Sequence, residues 1–303
     1  MLFTRGVFAR ILVANDFNQK KAFERLVDYC KWRHRMQVDL LLEHDFMGKE
    51  DAIREFMPTG FHETDKQGRP ILIVNAGQIK ITELLQCTNP ESITKWIIKE
   101  LEHTWREKFD RCEQAYKPQK VDQIRMIIDL KGATLKQITN KHLNLLWKEI
   151  SKELNKRFPE FVHSIVIVNA PMFFESFFLS ELKPQMSERT FAKIQMTGQS
   201  SPACLVEAVD PEKLPAVYGG LCKCVAQCVY SDKGPWSAVL NVVDFQNKQL
   251  TTTEVEFQEN IAAREEFKFR DDSDDEKVDL LDQVSDLDKL KAAFSKRKTF
   301  EYG

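Results

Sequence analysis

Three cysteines, Cys222, Cys224 and Cys228, follow a Gly219-Gly220 pair, and thiolates at this spacing could hold a soft cation. Structural zinc sites usually combine two such knuckles, however, and the last histidine in the chain is His163, far upstream. From spacing alone, the thiols read as small side chains after a tight turn, and no metal is expected. Asp129 closes an apolar run, where a carboxylate in an α/β enzyme could be catalytic. No nucleophile or base shares its motif, so it reads as a cap on the turn at 129–132 through backbone amides. The sequence contains no Gly-x-Ser-x-Gly and no His-Glu-x-x-His, and Gly219-Gly220 matches no phosphate loop. Neither an enzymatic activity nor a cofactor is expected.

The richest stretch is 158–198. Within it, 164–168 is a short β-branched run ended by Asn169-Ala170-Pro171, the pattern of a strand buried on both faces. Phe173 and Phe177, then Phe174, Phe178 and Leu182, recur at spacings of four and predict a Phe-rich helix ended by Lys183-Pro184. Its apolar face, Met172 to Phe174 with Phe177 to Leu179, is broader than one packing seam requires. The surplus must meet a partner, a ligand or a membrane, and periodicity alone does not choose between ligand or membrane contact and ordinary core. Ser187 is a candidate N-cap for a second short helix carrying Thr190 and Lys193.

Around this stretch the spacing predicts helices over 10–35, with a break at Phe17-Asn18, and over 48–56, 90–116, 134–158 and 202–209. Strands are expected at 69–74, 123–130, 164–168 and 193–196, with a turn at 64–68 leading into the first. Strands separated by helices of this length indicate an α/β fold with parallel neighbours. Beyond Trp236, a strand at 239–245, an acidic linker at 271–276 and an amphipathic helix at 278–298 are expected.

The chain has 303 residues, with 44 basic and 46 acidic side chains, so no bulk charge draws it to nucleic acid. No apolar run approaches the roughly 18 to 20 residues needed to cross a bilayer. Arg5 and Arg10 interrupt the apolar N-terminus, so no secretory signal is expected. Seven cysteines, an odd number, suit unpaired thiols in a reducing compartment. The expectation is a cytoplasmic protein that meets membranes only peripherally.

Several separated motifs resemble the CRAL-TRIO lipid-binding domain, in particular the fungal-type phosphatidylinositol/phosphatidylcholine transfer proteins. They are Arg10 to Ala14 with Phe17, Ala22 and Trp32-Arg33; Phe61 to Pro70, FHETDKQGRP; and Ile128 to Gly132, IDLKG. Phe158-Pro159-Glu160, Val168 to Pro171, Leu182 to Pro184, Leu214-Pro215 with Tyr218 to Gly220, and Ser231 to Trp236 complete the series. The resemblance implies an α/β fold whose mostly parallel sheet floors an apolar lipid pocket, with helices outside and a mobile gate helix at about 184–198. It divides the chain into a partial N-terminal helical lobe at 1–47, which lacks the family's first helices, a lipid-binding domain at 48–236, and an extension at 237–303. A sealed pocket is physically apt. Two acyl chains carry on the order of 30 methylenes, whose exposure would cost about 24 kcal/mol in water.

By the same resemblance, Glu160, Thr190 and Lys193 would hold an inositol-phosphate headgroup, a lysine and a hydroxyl three residues apart suiting a phosphate. Phe173, Phe174, Phe177 and Phe178 would form the pocket wall. The family's arginine-lysine pair before Phe17 is Asn15-Asp16 here, and its choline-binding hydroxyls correspond to Phe61, Leu72, Ile124 and Met126. The resemblance therefore implies that choline recognition is lost and phosphatidylinositol recognition partly kept. The expected role is to bind a phospholipid and transfer or present it at a membrane surface. The alternative is a non-transferring carrier or scaffold that meets a protein partner through its acidic tail.

Overall fold

The computed structural model describes residues 5–237 apart from 45, 47, 199–201 and 226. The elements expected at 239–245, 271–276 and 278–298 lie outside the described residues. From the N-terminus come α1 (Arg5–Ala14), α2 (Gln19–Arg35), α3 (Val38–Leu41), α4 (Lys49–Phe56), β1 (Thr59–Thr64) and β2 (Pro70–Val74). There follow α5 (Ile81–Cys87), α6 (Pro90–His103), α7 (Phe109–Ala115), β3 (Ile124–Asp129), α8 (Leu135–Ile138), α9 (Lys141–Arg157) and β4 (Val162–Val168). The remaining elements are α10 (Met172–Phe177), α11 (Glu188–Phe191), β5 (Ile194–Met196) and α12 (Ala203–Ala208).

Short oxygen-bearing side chains start many of these helices by accepting the first free amides. Asn18 caps α2, and Asn89 caps α6, where Pro90 takes a position that needs no amide. The single helix expected over 134–158 is divided, because Thr134 caps α8 and Asn140 caps α9 by accepting from the amides of His142 and Leu143. The helix expected over 90–116 is continuous but passes through a π-turn at Thr104–Lys108 between α6 and α7.

The five strands lie in the order β1-β2-β3-β4-β5, with β1 antiparallel to β2 and the other neighbours parallel. Asp65 sets the turn between β1 and β2. Its carboxylate, 1% exposed, accepts from the amides of Gln67 and Arg69 and from the Arg69 and Arg125 side chains. Gly68 supplies the positive φ of 82° that the turn needs, and a Cβ there would strike the Tyr116 ring.

Strand alternation gives the sheet two different faces. Ile71, Ile73, Ile127, Val166 and Val168 point to a closed core under Leu205, Val209, Leu214, Tyr218 and Val229. Val74, Ile128, Ile165, Ile167 and Ile194 point the other way, toward α8, α9 and α10. The strand expected to be buried on both faces is so only at Val166–Val168; Val162 through Ile165 are half-buried.

The N-terminal helices are fastened by buried charge. Arg33 donates to Glu102 on α6 at 2.7 Å and to Asp39 at 2.7 Å, and Arg157 on α9 donates to Asp28 at 2.7 Å. Arg33 and Glu102 are buried on both sides, so removing either leaves the other buried and uncompensated, whereas Asp39 and Asp28 reach solvent.

Candidate functional site

A cavity of about 130 Å³ lies between the half-buried sheet face and the α8–α11 region. Its floor is Val74, Ile128, Leu130, Ile165, Ile167 and Ile194, and Ile138, Leu143 and Trp147 close one side. The opposite wall is Phe174, Phe177, Phe178, Leu182 and Met186. Gln137 and Asn144 are the polar side chains among the lining residues, and the Gln137 amide is committed to the carbonyls of Ala76 and Ile79. Such a space offers dispersion and little hydrogen bonding, so it suits hydrocarbon.

The expected Phe stripe divides in two. Phe174 and Phe178 are buried, their rings 6.0 Å apart, and Phe178 stacks on Phe191 at 6.3 Å. Met172, Phe173 and Leu179 lie on the outside, with Met172 98% exposed. The helix itself is short: α10 ends at Phe177 and continues as a π-turn, Phe178–Leu182, then one 3-10 turn, Lys183–Gln185.

The expected gate at 184–198 is not one helix. Ser187 caps the four-residue α11 by accepting from the Thr190 amide, and the chain then enters β5, which pairs with β4. Thr190 and Lys193 therefore do not share a helical face. Lys193 lies past the end of α11, its amide bonded to the Thr190 carbonyl, immediately before cavity-lining Ile194.

Lys193 and Glu160 meet. The Lys193 Nζ donates to Glu160 Oε2 at 2.6 Å, while the Thr190 hydroxyl is paired with Ser187 at 2.8 Å. Arg189, not singled out in the sequence, lies 3.5 Å from Glu160 Oε1, donates to the Val13 carbonyl at 2.7 Å and pairs with Asp16. Its nearness to Lys193 in sequence was the one clue, but Lys193 lies beyond α11, so helical spacing does not place the two together. Burial by itself would raise the Glu160 carboxyl. Lys193 and Arg189 outweigh it and hold the group below its ordinary value.

The four positions that replace choline-binding hydroxyls are spread over the sheet. Leu72 and Met126 are half-buried neighbours in the register row of Ile165 and Ile194, on the face that floors the cavity but not lining it. Phe61 is paired with Leu72 but is capped by Trp236, whose ring lies 6.2 Å away, and by Lys108 at 5.2 Å. Ile124 is fully buried and does not line the cavity.

Asp129 proves to be a junction. It accepts from the Lys131 amide at 2.8 Å, from the Asn169 side chain at 2.8 Å and from the Tyr218 hydroxyl at 3.0 Å. Three motifs far apart in sequence thus converge on one carboxylate, where burial and the adjacent charge raise the Tyr218 phenol. Its acceptor sites are taken up in joining the ends of β3 and β4 to the segment that covers the back of the sheet.

The mostly parallel sheet with an apolar cavity on one face is an architecture that comparison with known proteins places in a family. Residues 56–220 match the CRAL/TRIO domain model, and the chain belongs to that family. Phosphatidylinositol/phosphatidylcholine transfer protein SFH7 of Arabidopsis thaliana is 36% identical over 231 residues, which are 75% of this chain but 42% of that protein. The chain therefore spans less than half the length of this plant relative. Sec14 cytosolic factor of Schizosaccharomyces pombe is 30% identical over 227 residues, 75% of this chain and 78% of the relative. The crystal structure of Sfh5 shares the fold, with a TM-score of 0.57 at 16% identity over 85% of this chain and 81% of that one.

Proposed function

We propose that this chain binds a phospholipid, with phosphatidylinositol the best-fitting headgroup, and exchanges it with a membrane by outward movement of the wall at 172–193. The observation that carries the reading is an apolar cavity whose rim, next to Ile194, holds the Lys193–Glu160–Arg189 cluster. A phosphate could take either cation from Glu160, and a lysine with an arginine suits such an oxyanion. Both cations lie on the wall itself, and in this arrangement Asp16 and Glu160 hold them until a phosphate displaces a carboxylate.

At about 130 Å³, the cavity is comparable to the ~150 Å³ space that holds a single benzene in an engineered core. Two acyl chains require the wall to swing out, exposing the half-buried Leu72 and Met126 as additional floor. The wall is built for this, being a succession of short helical turns rather than one helix. Exposed Met172, Phe173 and Leu179 would enter the acyl region of a bilayer while it opens. Among the described residues no helix is long and apolar enough to cross a membrane, in keeping with transient contact. This is the work of a transfer protein of the kind that the name of the SFH7 relative states, and it involves no bond-making step.

The test is to purify the full chain, extract it and identify bound lipid by mass spectrometry. Phosphatidylinositol enriched over its share in the host membranes is expected. A folded, lipid-free chain that also takes up no phosphatidylinositol from vesicles would overturn the reading.

A further inference from the structure

The cysteine trio lacks a nearby histidine only in sequence. β1 carries His62 to it, and one ring nitrogen of His62 and the sulfurs of Cys222, Cys224 and Cys228 all lie within 4.8 Å of one another. The Cys222 and Cys224 sulfurs are 3.7 Å apart. A tetrahedral zinc with bonds of ~2.3 Å to sulfur requires sulfurs ~3.8 Å apart, so the four groups stand close to a Cys₃His arrangement.

The histidine is set for this role by its neighbours. Ser231 Oγ donates to the Cys228 carbonyl at 2.8 Å, which uses the only hydroxyl proton. The 2.8 Å contact between Ser231 Oγ and His62 Nδ1 must then be an N–H donated by the ring. A neutral His62 with its proton on Nδ1 has a bare lone pair on Nε2. That atom is buried, makes no hydrogen bond, and belongs to a side chain with 0% exposure. An unpaired buried acceptor costs free energy unless something occupies it, and a metal-bound histidine normally donates its other nitrogen to just such an outer partner.

We propose that His62, Cys222, Cys224 and Cys228 form a structural zinc site. Three thiolates select a soft, tetrahedral ion over magnesium or calcium. With the dication they leave a single negative charge, and Lys233 lies close enough to interact with both Cys222 and Cys224. Four protein ligands close the coordination sphere, so the site is a staple and not a catalytic centre.

What it would fasten is the open edge of the sheet. β1 is the edge strand, and the chain around Val229 runs across it so closely that a Cβ on Gly60 would lie 2.1 Å from the Val229 carbonyl oxygen. The Glu63 amide donates to the Lys233 carbonyl at 2.5 Å, and Val229 completes the core on the back of the sheet. The zinc would clamp this strap to β1 and cover an edge otherwise able to pair with other chains.

The experiment uses the full chain purified without chelator. Elemental analysis should find one zinc per chain, and Co²⁺ added to the demetallated chain should give thiolate-to-cobalt charge-transfer and tetrahedral d–d bands. C222S/C224S should lose both signals; if it fails to fold, protection of three thiols from a thiol reagent in the zinc-loaded wild type, and their exposure after chelation, serves instead. A folded wild-type chain without zinc that gives no cobalt spectrum, or one with Cys222 and Cys224 joined as a disulfide, would overturn the proposal. Lipid uptake is measured separately, so failure here leaves the phospholipid reading standing.

Discussion

Neighbouring residues of the central strands live in different worlds. Ile127 and Ile128 are adjacent and chemically identical, yet Ile127 is fully buried under the C-terminal strap while Ile128 is half-buried at the cavity. The same holds for Ile73 beside Val74 and Val166 beside Ile165. One face is closed over by a core whose side chains are 5% exposed or less and supplies stability; the other borders a cavity, and the binding reading lives there. Strand parity, not composition, separates the two tasks.

The largest effect should come from the packed face. Ile127→Ala should cost about 2 to 5 kcal/mol by leaving a void that the surrounding core cannot fill. Ile128→Ala, opening onto existing space, should cost about 1 kcal/mol. Chemical denaturation of the pair measures the contrast, and equal losses would mean that the two faces are packed alike.

On the other face, Ile165→Trp should fill the cavity and reduce lipid uptake about tenfold or more while leaving the denaturation midpoint nearly unchanged. Normal uptake by that variant would move the ligand elsewhere. At the rim, Lys193→Ala should weaken phosphatidylinositol binding roughly tenfold, the scale of one lost charge-assisted hydrogen bond. Its effect on apolar uptake should be small.

The smallest effect is in pH. Because Glu160 is held below its ordinary value of 4.5, its pairing stabilises the folded chain above that pH and is lost as pH falls through the lower folded value. Wild type and Lys193→Ala should therefore differ in stability at neutral pH and converge in acid. A constant difference across that range would place the stabilisation in some other contact.

Much of this was legible in the chain itself. Short apolar, β-branched runs located β2, β3 and β4, and helical spacing located α2, α6 and α9, because these patterns follow from the local geometry of strands and helices. The caps at Thr134 and Asn140 were readable in principle, yet the continuous apolar pattern over 134–158 obscured the break between them. Glu160 and Lys193 were marked by motif. Arg189 was passed over, because nothing local shows that Asp16 and Glu160 would flank it.

What the sequence by itself determined is the set of elements, the apolar content of each face and the polar groups available at the rim. Tertiary structure decided which of these meet. It brought Asn169 and Tyr218 to Asp129, whose bond to the Lys131 amide was already the local cap expected, and set Arg189 between Asp16 and Glu160. It also divided the Phe stripe into a cavity wall and an exposed edge, and laid three cysteines over His62 on the edge strand. Those pairings depend on strand order and on the path of the strap over β1. They are long-range consequences of packing both sheet faces at once, and no local pattern encodes them.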